Sequence, residues 1–203
     1  QLNLDMRDFV VQEGNAYRVL PVRNNRTDRE TLVNVESSYK KMLHDFGYRG
    51  LDNPKLYYNE DYRGFIQNHR GSLNSLAEAI IDQGDLTKAK EVIDFNLAKM
   101  PDAAVRYDIT SVSTAEQLFR VGEKARAVEM ATLLGTRAEE MVNYELKKYT
   151  GISMEVRRNL YILGELQRIL YENGESDLAK KFESSYERIL EGLQIRGTDR
   201  SDY

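Results

Sequence analysis

Histidine, tyrosine and arginine side chains concentrate whatever chemistry this chain can offer. His44 and His69 are its two histidines, and one stretch, Tyr57-Tyr-Asn-Glu-Asp-Tyr-Arg63 followed by Asn68-His-Arg70, sets three tyrosines, two arginines and a histidine close together. Tyrosine and arginine supply rigid contact area and several hydrogen-bond donors at binding surfaces, and a histidine among them could carry a proton. Tyr57, Tyr58, Tyr62, Arg63, His69 and Arg70 are therefore the candidate binding residues. A plainer reading of the same stretch packs the tyrosines onto neighbouring helices and pairs Arg63 and Arg70 with nearby acids. His44, beside Asp45, falls at the end of an expected helix, where a cation suits the helix dipole. His69 falls on an apolar stripe, the place of a half-buried structural histidine. No HExxH pair, no glycine-rich phosphate loop ending in Lys-Ser/Thr and no GxSxG elbow occurs. Carboxylate pairs such as Glu60-Asp61 and Glu139-Glu140 read as solvated helix charges. The expectation is no catalytic residue, no metal ligand and no cofactor.

Composition narrows the function classes further. The chain has 203 residues, 41% of them hydrophobic and 31% charged, enough apolar material for one core. Its formal charge is -4, with both signs interleaved, so it offers no basic face to a nucleic acid backbone. With three prolines in the whole chain, long stretches are free to be helical. Zero cysteines exclude a disulfide framework and thiolate metal sites. No apolar run reaches the roughly 18–20 residues that span a bilayer. Gln1 in first place fits a mature chain or a piece of something longer.

The elements that must position the candidate residues follow from periodicity. Phe9-Val-Val-Gln12 and Ala16-Tyr-Arg-Val-Leu-Pro-Val22 flank Glu13-Gly-Asn15, which predicts a short hairpin or extended strap. Thr27 and Glu30 have capping-box spacing, and Leu32, Val35, Tyr39, Met42, Leu43 and Phe46 predict a helix over about 28–46. Residues 51–58 read as a turn-rich connector, because Asp52 and Asn53 bond their own backbone and Pro54 keeps Asn53 out of the helical region. From about residue 60 onward the chain is helical stripes with punctuation. Phe65, Ile66, His69, Leu73, Leu76, Ala77, Ile80 and Ile81 run to Gly84, and Leu86, Ala89, Ile93 and Leu97 run to Pro101. Val112, Ala115, Leu118 and Phe119 run to Gly122, and a long stripe from Ala127 to Leu146 runs to Gly151. The last two stripes are Val156 to Leu170, stopped by Gly174, and Leu178 to Leu193. The expected division is an N-terminal extended segment plus helix over 1–58, a helical repeat region over 59–195 and a frayed tail over 196–203.

Three of the breaks share one pattern. Gln83-Gly-Asp-Leu-Thr-Lys-Ala89, Val121-Gly-Glu-Lys-Ala-Arg-Ala127 and Asn173-Gly-Glu-Ser-Asp-Leu-Ala179 each have glycine, an acid, and alanine five after the glycine. A large aliphatic residue, Ile80, Leu118 or Leu170, precedes each glycine by four. Glycine takes the left-handed conformation that ends a helix, the acid favours the start of the next, and the alanine allows the two helices to cross closely. Gly84, Ala89, Gly122, Ala127, Gly174 and Ala179 are therefore expected to turn three antiparallel helix hairpins. The spacings are 122 - 84 = 38 and 174 - 122 = 52 residues.

This pattern resembles the tetratricopeptide-type repeat, whose period is about 34 residues. The first unit resembles it best, with Ala77, Ile80, Gly84, Ala89, Ile93 and a terminal Pro101. The second has Glu139 where the proline is expected and an over-long second helix, and the third has Gln167 at a small-residue position. Three unrelated hairpins that each need a glycine turn would look much the same. The resemblance implies an all-α fold of stacked antiparallel hairpins, with a short extended segment in front, exposing a concave face for a protein or peptide partner.

A second resemblance rests on Asp8-Phe-Val10 with Gly14-Asn-Ala-Tyr-Arg-Val-Leu-Pro-Val22, on Asn53-Pro54 with Tyr57-Tyr58, and on Arg70 with the Leu76-Ala77 to Ala89 hairpin. Together these are similar to the soluble C-terminal region of a bacterial family of multi-pass membrane proteins, labelled domain of unknown function 2723 and related to protein O-mannosyltransferases. The resemblance implies a non-catalytic helical-repeat module on the periplasmic face of the inner membrane, attached to a membrane-embedded glycosyltransferase-like part upstream. It would serve protein interaction or substrate presentation. The family's catalytic residues have no counterparts in these stretches. The alternative from the residues alone is a free-standing adaptor or scaffold. A third, an enzyme using the Tyr/Arg/His cluster, has the least support.

Overall fold

The computed structural model describes residues 6–23, 32–148 and 152–198, with the side chains of residues 7, 60 and 194–198 left aside. It is mainly α-helical, with a small sheet near the N-terminus. Two compact units divide it, Gln1–Thr110 and Ser111–Tyr203.

In the first unit, a 3-10 turn at Arg7–Phe9 leads into β1 (Val10–Glu13) and β2 (Ala16–Val19), an antiparallel hairpin as expected. Gly14 turns it with φ +71°. The helix expected over 28–46 is shorter than its periodicity suggests. Leu32–Val33 form β3, pairing in parallel with β1 so that the strand order is β2-β1-β3. Asn34 then caps α1 (Val35–Lys40), its side chain accepting from the Ser37 N–H at 3.1 Å, and a single π-turn, Lys41–Asp45, follows. The cause of the difference is long-range. The Gln12 carbonyl takes the Asn34 N–H at 2.9 Å, and Leu32 and Val33 pair with β1 before any helix starts. Thr27 and Glu30 lie outside the described residues.

The connector leads into α2 (Glu60–Asp82), which packs against α3 (Leu86–Lys99). Asn59 caps α2 by accepting from the Tyr62 N–H at 3.0 Å. Leu73, Leu76 and Ile80 of α2 and Ala89, Val92 and Ile93 of α3 are buried. The N-terminal segment belongs to the same compact unit as this hairpin. Gln12 Nε2 donates to the Ser72 carbonyl at 2.9 Å, and Ser38 Oγ accepts from the Gly14 N–H at 2.9 Å, ties that bind sheet, α1 and α2 together.

The second unit holds α4 (Thr110–Arg120), all but its first residue, with α5 (Lys124–Lys148), α6 (Met154–Glu172) and α7 (Ser176–Thr198). Helices α5, α6 and α7 pack on one another, burying Leu134, Val142, Leu163, Leu166, Phe182 and Ile189. The wider second spacing follows from helix length, since α5 and α6 have 25 and 19 residues where α3 and α4 have 14 and 11. Helix α7 continues to Thr198, so the tail expected from 196 is helical for its first three residues.

The three glycine turns share one backbone geometry. Gly84, Gly122 and Gly174 have φ of +83°, +81° and +79°. Each glycine N–H bonds the carbonyl three residues back, at Ile81, Phe119 and Tyr171. Each following acid bonds the carbonyl five back, Asp85 to Ile80 at 3.2 Å, Glu123 to Leu118 at 2.8 Å and Glu175 to Leu170 at 2.9 Å. That pair of bonds is the Schellman motif, which satisfies the last carbonyls of the outgoing helix. The alanine five on is fully buried in all three, Ala89, Ala127 and Ala179. Asp85 also caps α3, accepting from the Lys88 N–H at 3.0 Å.

Candidate functional site

The connector folds back on itself through its own polar groups. Asn53 Oδ1 accepts from the Lys55 N–H at 3.0 Å, and the Leu56 N–H returns to the Asn53 carbonyl at 3.1 Å. Gly50, at φ +85°, gives the turn its left-handed residue. A β-carbon there would lie 2.9 Å from Leu56 Cδ1, so glycine also makes room for Leu56. Tyr58 locks the fold, donating its hydroxyl to the Gly50 carbonyl at 2.8 Å. Arg63 Nε donates to the Tyr58 carbonyl at 3.1 Å, tying the connector to the first turn of α2.

This frame pushes apolar side chains outward. Tyr57 is 83% exposed, Tyr62 63% and Phe65 65%. Tyr62 and Phe65, three apart on α2, are neighbours on its surface, and Leu56 is exposed as well. Helix α2 begins to be covered only at Ile66. An apolar surface carried on capped, internally bonded backbone loses little entropy on binding, which favours recognition.

The other two candidate residues bond to other parts of the fold. Arg70 is 1% exposed, so it shares no surface with the tyrosines. Its guanidinium donates to the Met100 and Val105 carbonyls at 3.1 Å each and to the Arg106 carbonyl at 3.4 Å. Asp108 lies 3.6 Å away, and the Tyr107 ring sits 5.3 Å from the guanidinium carbon. Burial pulls the Arg70 pKa down while the Asp108 charge works against that. Its role is to hold the segment between α3 and α4. Pairing with an acid, the plainer expectation, holds for Arg70 but accounts for less of its bonding than the three carbonyls. Arg63 binds a carbonyl instead, as described.

His69 is half-buried and contacts Asn15 of the hairpin turn through Nδ1. The Tyr48 ring meets it edge-on at 5.9 Å between centroids. Burial pushes its pKa below the ordinary 6.5, so at neutral pH the ring is uncharged and bridges the sheet to α2. Tyr48, pushed up to about 12 by burial, stays protonated. His44 is exposed at the end of the π-turn, edge-on to Tyr39 at 5.8 Å. Among the described residues no group of three or more His, Asp or Glu is placed to hold a metal, and no helix is long and apolar enough to cross a membrane.

The structure thus joins Arg63 to Tyr58 by a hydrogen bond, leaves Tyr57 and Tyr62 exposed, engages His69 with Asn15 and Tyr48, and buries Arg70. Phe65 joins the site although its position in the stripe suggested core. The signal was present: Phe65 directly precedes Ile66, one helical step of about 100° away, so both cannot face the same neighbour equally. Comparison with protein-family models, curated proteins and solved structures gives no match.

Proposed function

We propose that this chain is a non-catalytic interaction module built from tetratricopeptide-like helix hairpins. One observation carries the reading: the exposed Tyr57, Tyr62 and Phe65 surface held on the bonded connector and the first turns of α2. The repeat assignment is supported by the three Schellman turns, each with a buried alanine at the same offset. His69 and Arg70, the residues an enzyme would have needed, are occupied in bridging elements of the fold.

Photo-crosslinking in the native cell tests this. A benzophenone side chain in place of Tyr57, Tyr62 or Phe65 is expected to give the same discrete protein adduct, while one in place of the exposed Tyr144 or Tyr161 of the second unit gives none. Equal labelling at all five positions, or none at any, would overturn the reading.

The resemblance carried by Gly14 to Val22 and by Asn53-Pro54 extends the proposal: the module hangs on the periplasmic face of the inner membrane, joined to a glycosyltransferase-like membrane part to which it brings partners or substrates. A free-standing adaptor is the alternative. A run of hydrophobic segments upstream in the same reading frame favours attachment, and a start codon near Gln1 favours the adaptor.

A further inference from the structure

Among the described residues, strand β2 stands at the edge of its sheet, and all four of its residues are exposed. The hydrogen-bond phase of the hairpin determines which of its backbone groups face outward. The pairs Glu13 with Ala16 and Val11 with Arg18 flank the two-residue turn at even steps, and the Leu20 N–H bonds the Phe9 carbonyl at 2.7 Å in the same phase. Bonded and non-bonded pairs alternate in an antiparallel ladder. Tyr17 and Val19, opposite Gln12 and Val10, are thus the non-bonded pairs, and their N–H and C=O groups point to the open edge. The far side of β1 confirms the phase, since the Gln12 carbonyl bonds the Asn34 N–H of the β3 side at 2.9 Å rather than β2.

Edge strands are blunted by shortness, charged side chains, proline or a bulge; β2 is short and carries one charge, Arg18, but has no proline within it. Here Tyr17 is 58% exposed and Val19 60%, both on one face of the strand, and Pro21 comes only after its end. Arg18 projects from the opposite face. Its partner Glu13, 2.9 Å away, also binds Lys41 at 3.2 Å, so one carboxylate serves two cations. Among these described side chains, two cations face one carboxylate, in a chain of formal charge -4.

We propose that β2 accepts an extended, acidic segment of another protein as a fourth strand, bonded to Tyr17 and Val19, with an acid opposite Arg18 and β-branched residues beside Tyr17 and Val19. Backbone pairing gives the affinity in such strand addition and alternate side chains give the selectivity. A second copy of the chain fits less well, because the two-fold register that pairs Tyr17 with Val19 sets Arg18 opposite Arg18 of the other copy, and like charges directly opposite are unfavourable. This edge is independent of the Tyr57 surface.

Amide hydrogen exchange on the full chain tests the proposal with a capped seven-residue peptide of alternating valine and glutamate. Exchange at the Tyr17 and Val19 amides is expected to slow by about tenfold or more at saturation, with Arg18, bonded inside the hairpin, unchanged. Methylating the peptide's backbone nitrogens removes the donors but leaves its charge, and should abolish the protection. Val19→Pro in the protein should do the same, while far-ultraviolet circular dichroism shows the helices intact. No protection at millimolar peptide, or undiminished protection by the methylated peptide, overturns strand addition. Equal protection by alternating valine and lysine overturns the acidic partner. Protection of the same two amides without peptide, rising with protein concentration, overturns it in favour of a second copy.

Discussion

The ring of Phe182, on α7, lies directly against the backbone of α5 at Gly135. A β-carbon on Gly135 would fall inside the ring's contact distance at three of its carbons, and Phe182 is completely buried. Glycine inside a helix ordinarily costs about 0.5–1 kcal/mol relative to alanine, so its presence here is explained by the approach of α7. Gly135→Ala should therefore destabilise the second unit, by roughly 1–3 kcal/mol as the ring is forced aside. Gly71→Ala, on α2 where a β-carbon meets nothing within 4 Å, should instead stabilise by about 0.5–1 kcal/mol. Urea denaturation of both variants checks the opposite signs.

The three hairpin turns predict near-equal penalties. A β-carbon at Gly84, Gly122 or Gly174 meets nothing within 4 Å, so substitution there costs backbone strain alone. Alanine at each should lower stability by about 1 kcal/mol, and asparagine, which tolerates the left-handed region, by less. Unequal penalties in thermal melts of the three alanine variants would count against equivalence of the turns.

Arg70 predicts a specific intolerance. Lysine keeps the charge but cannot fork across the carbonyls of Met100, Val105 and Arg106, and methionine leaves those carbonyls buried without their donor. Arg70→Lys and Arg70→Met should each cost about 2–4 kcal/mol by chemical denaturation. Arg63→Ala, exposed on α2, should change stability by no more than about 0.5 kcal/mol.

His69 gives the fold a pH dependence with a definite sign. Its folded pKa lies below the unfolded value of 6.5 because burial disfavours the cation. In the window between the two values the unfolded chain binds more protons, so stability rises with pH there. The stabilising contribution is complete above 6.5 and is lost as pH falls through the lower, folded value. Melting temperatures measured from pH 7.5 down to 5 should fall more steeply for the wild type than for His69→Gln. Parallel curves would remove the effect.

The sequence alone determined what depends on nearest neighbours along the chain. Glycine, acid and alanine at fixed offsets force a left-handed residue, a helix start and a small contact, so the turns at Gly84, Gly122 and Gly174 were readable. Gly14 and its flanking β-branched residues made the hairpin readable for the same reason. Only the tertiary structure decided matters that depend on which surfaces meet. Leu32 fits a helical period, yet it and Val33 pair with β1. Phe65 fits an apolar stripe, yet it is 65% exposed. Arg70 reads as a binding residue or the partner of a nearby acid, yet three carbonyls from a segment some thirty residues on enclose it. Periodicity records that a side chain is apolar or charged; it does not record whether a distant segment arrives to cover or bind it.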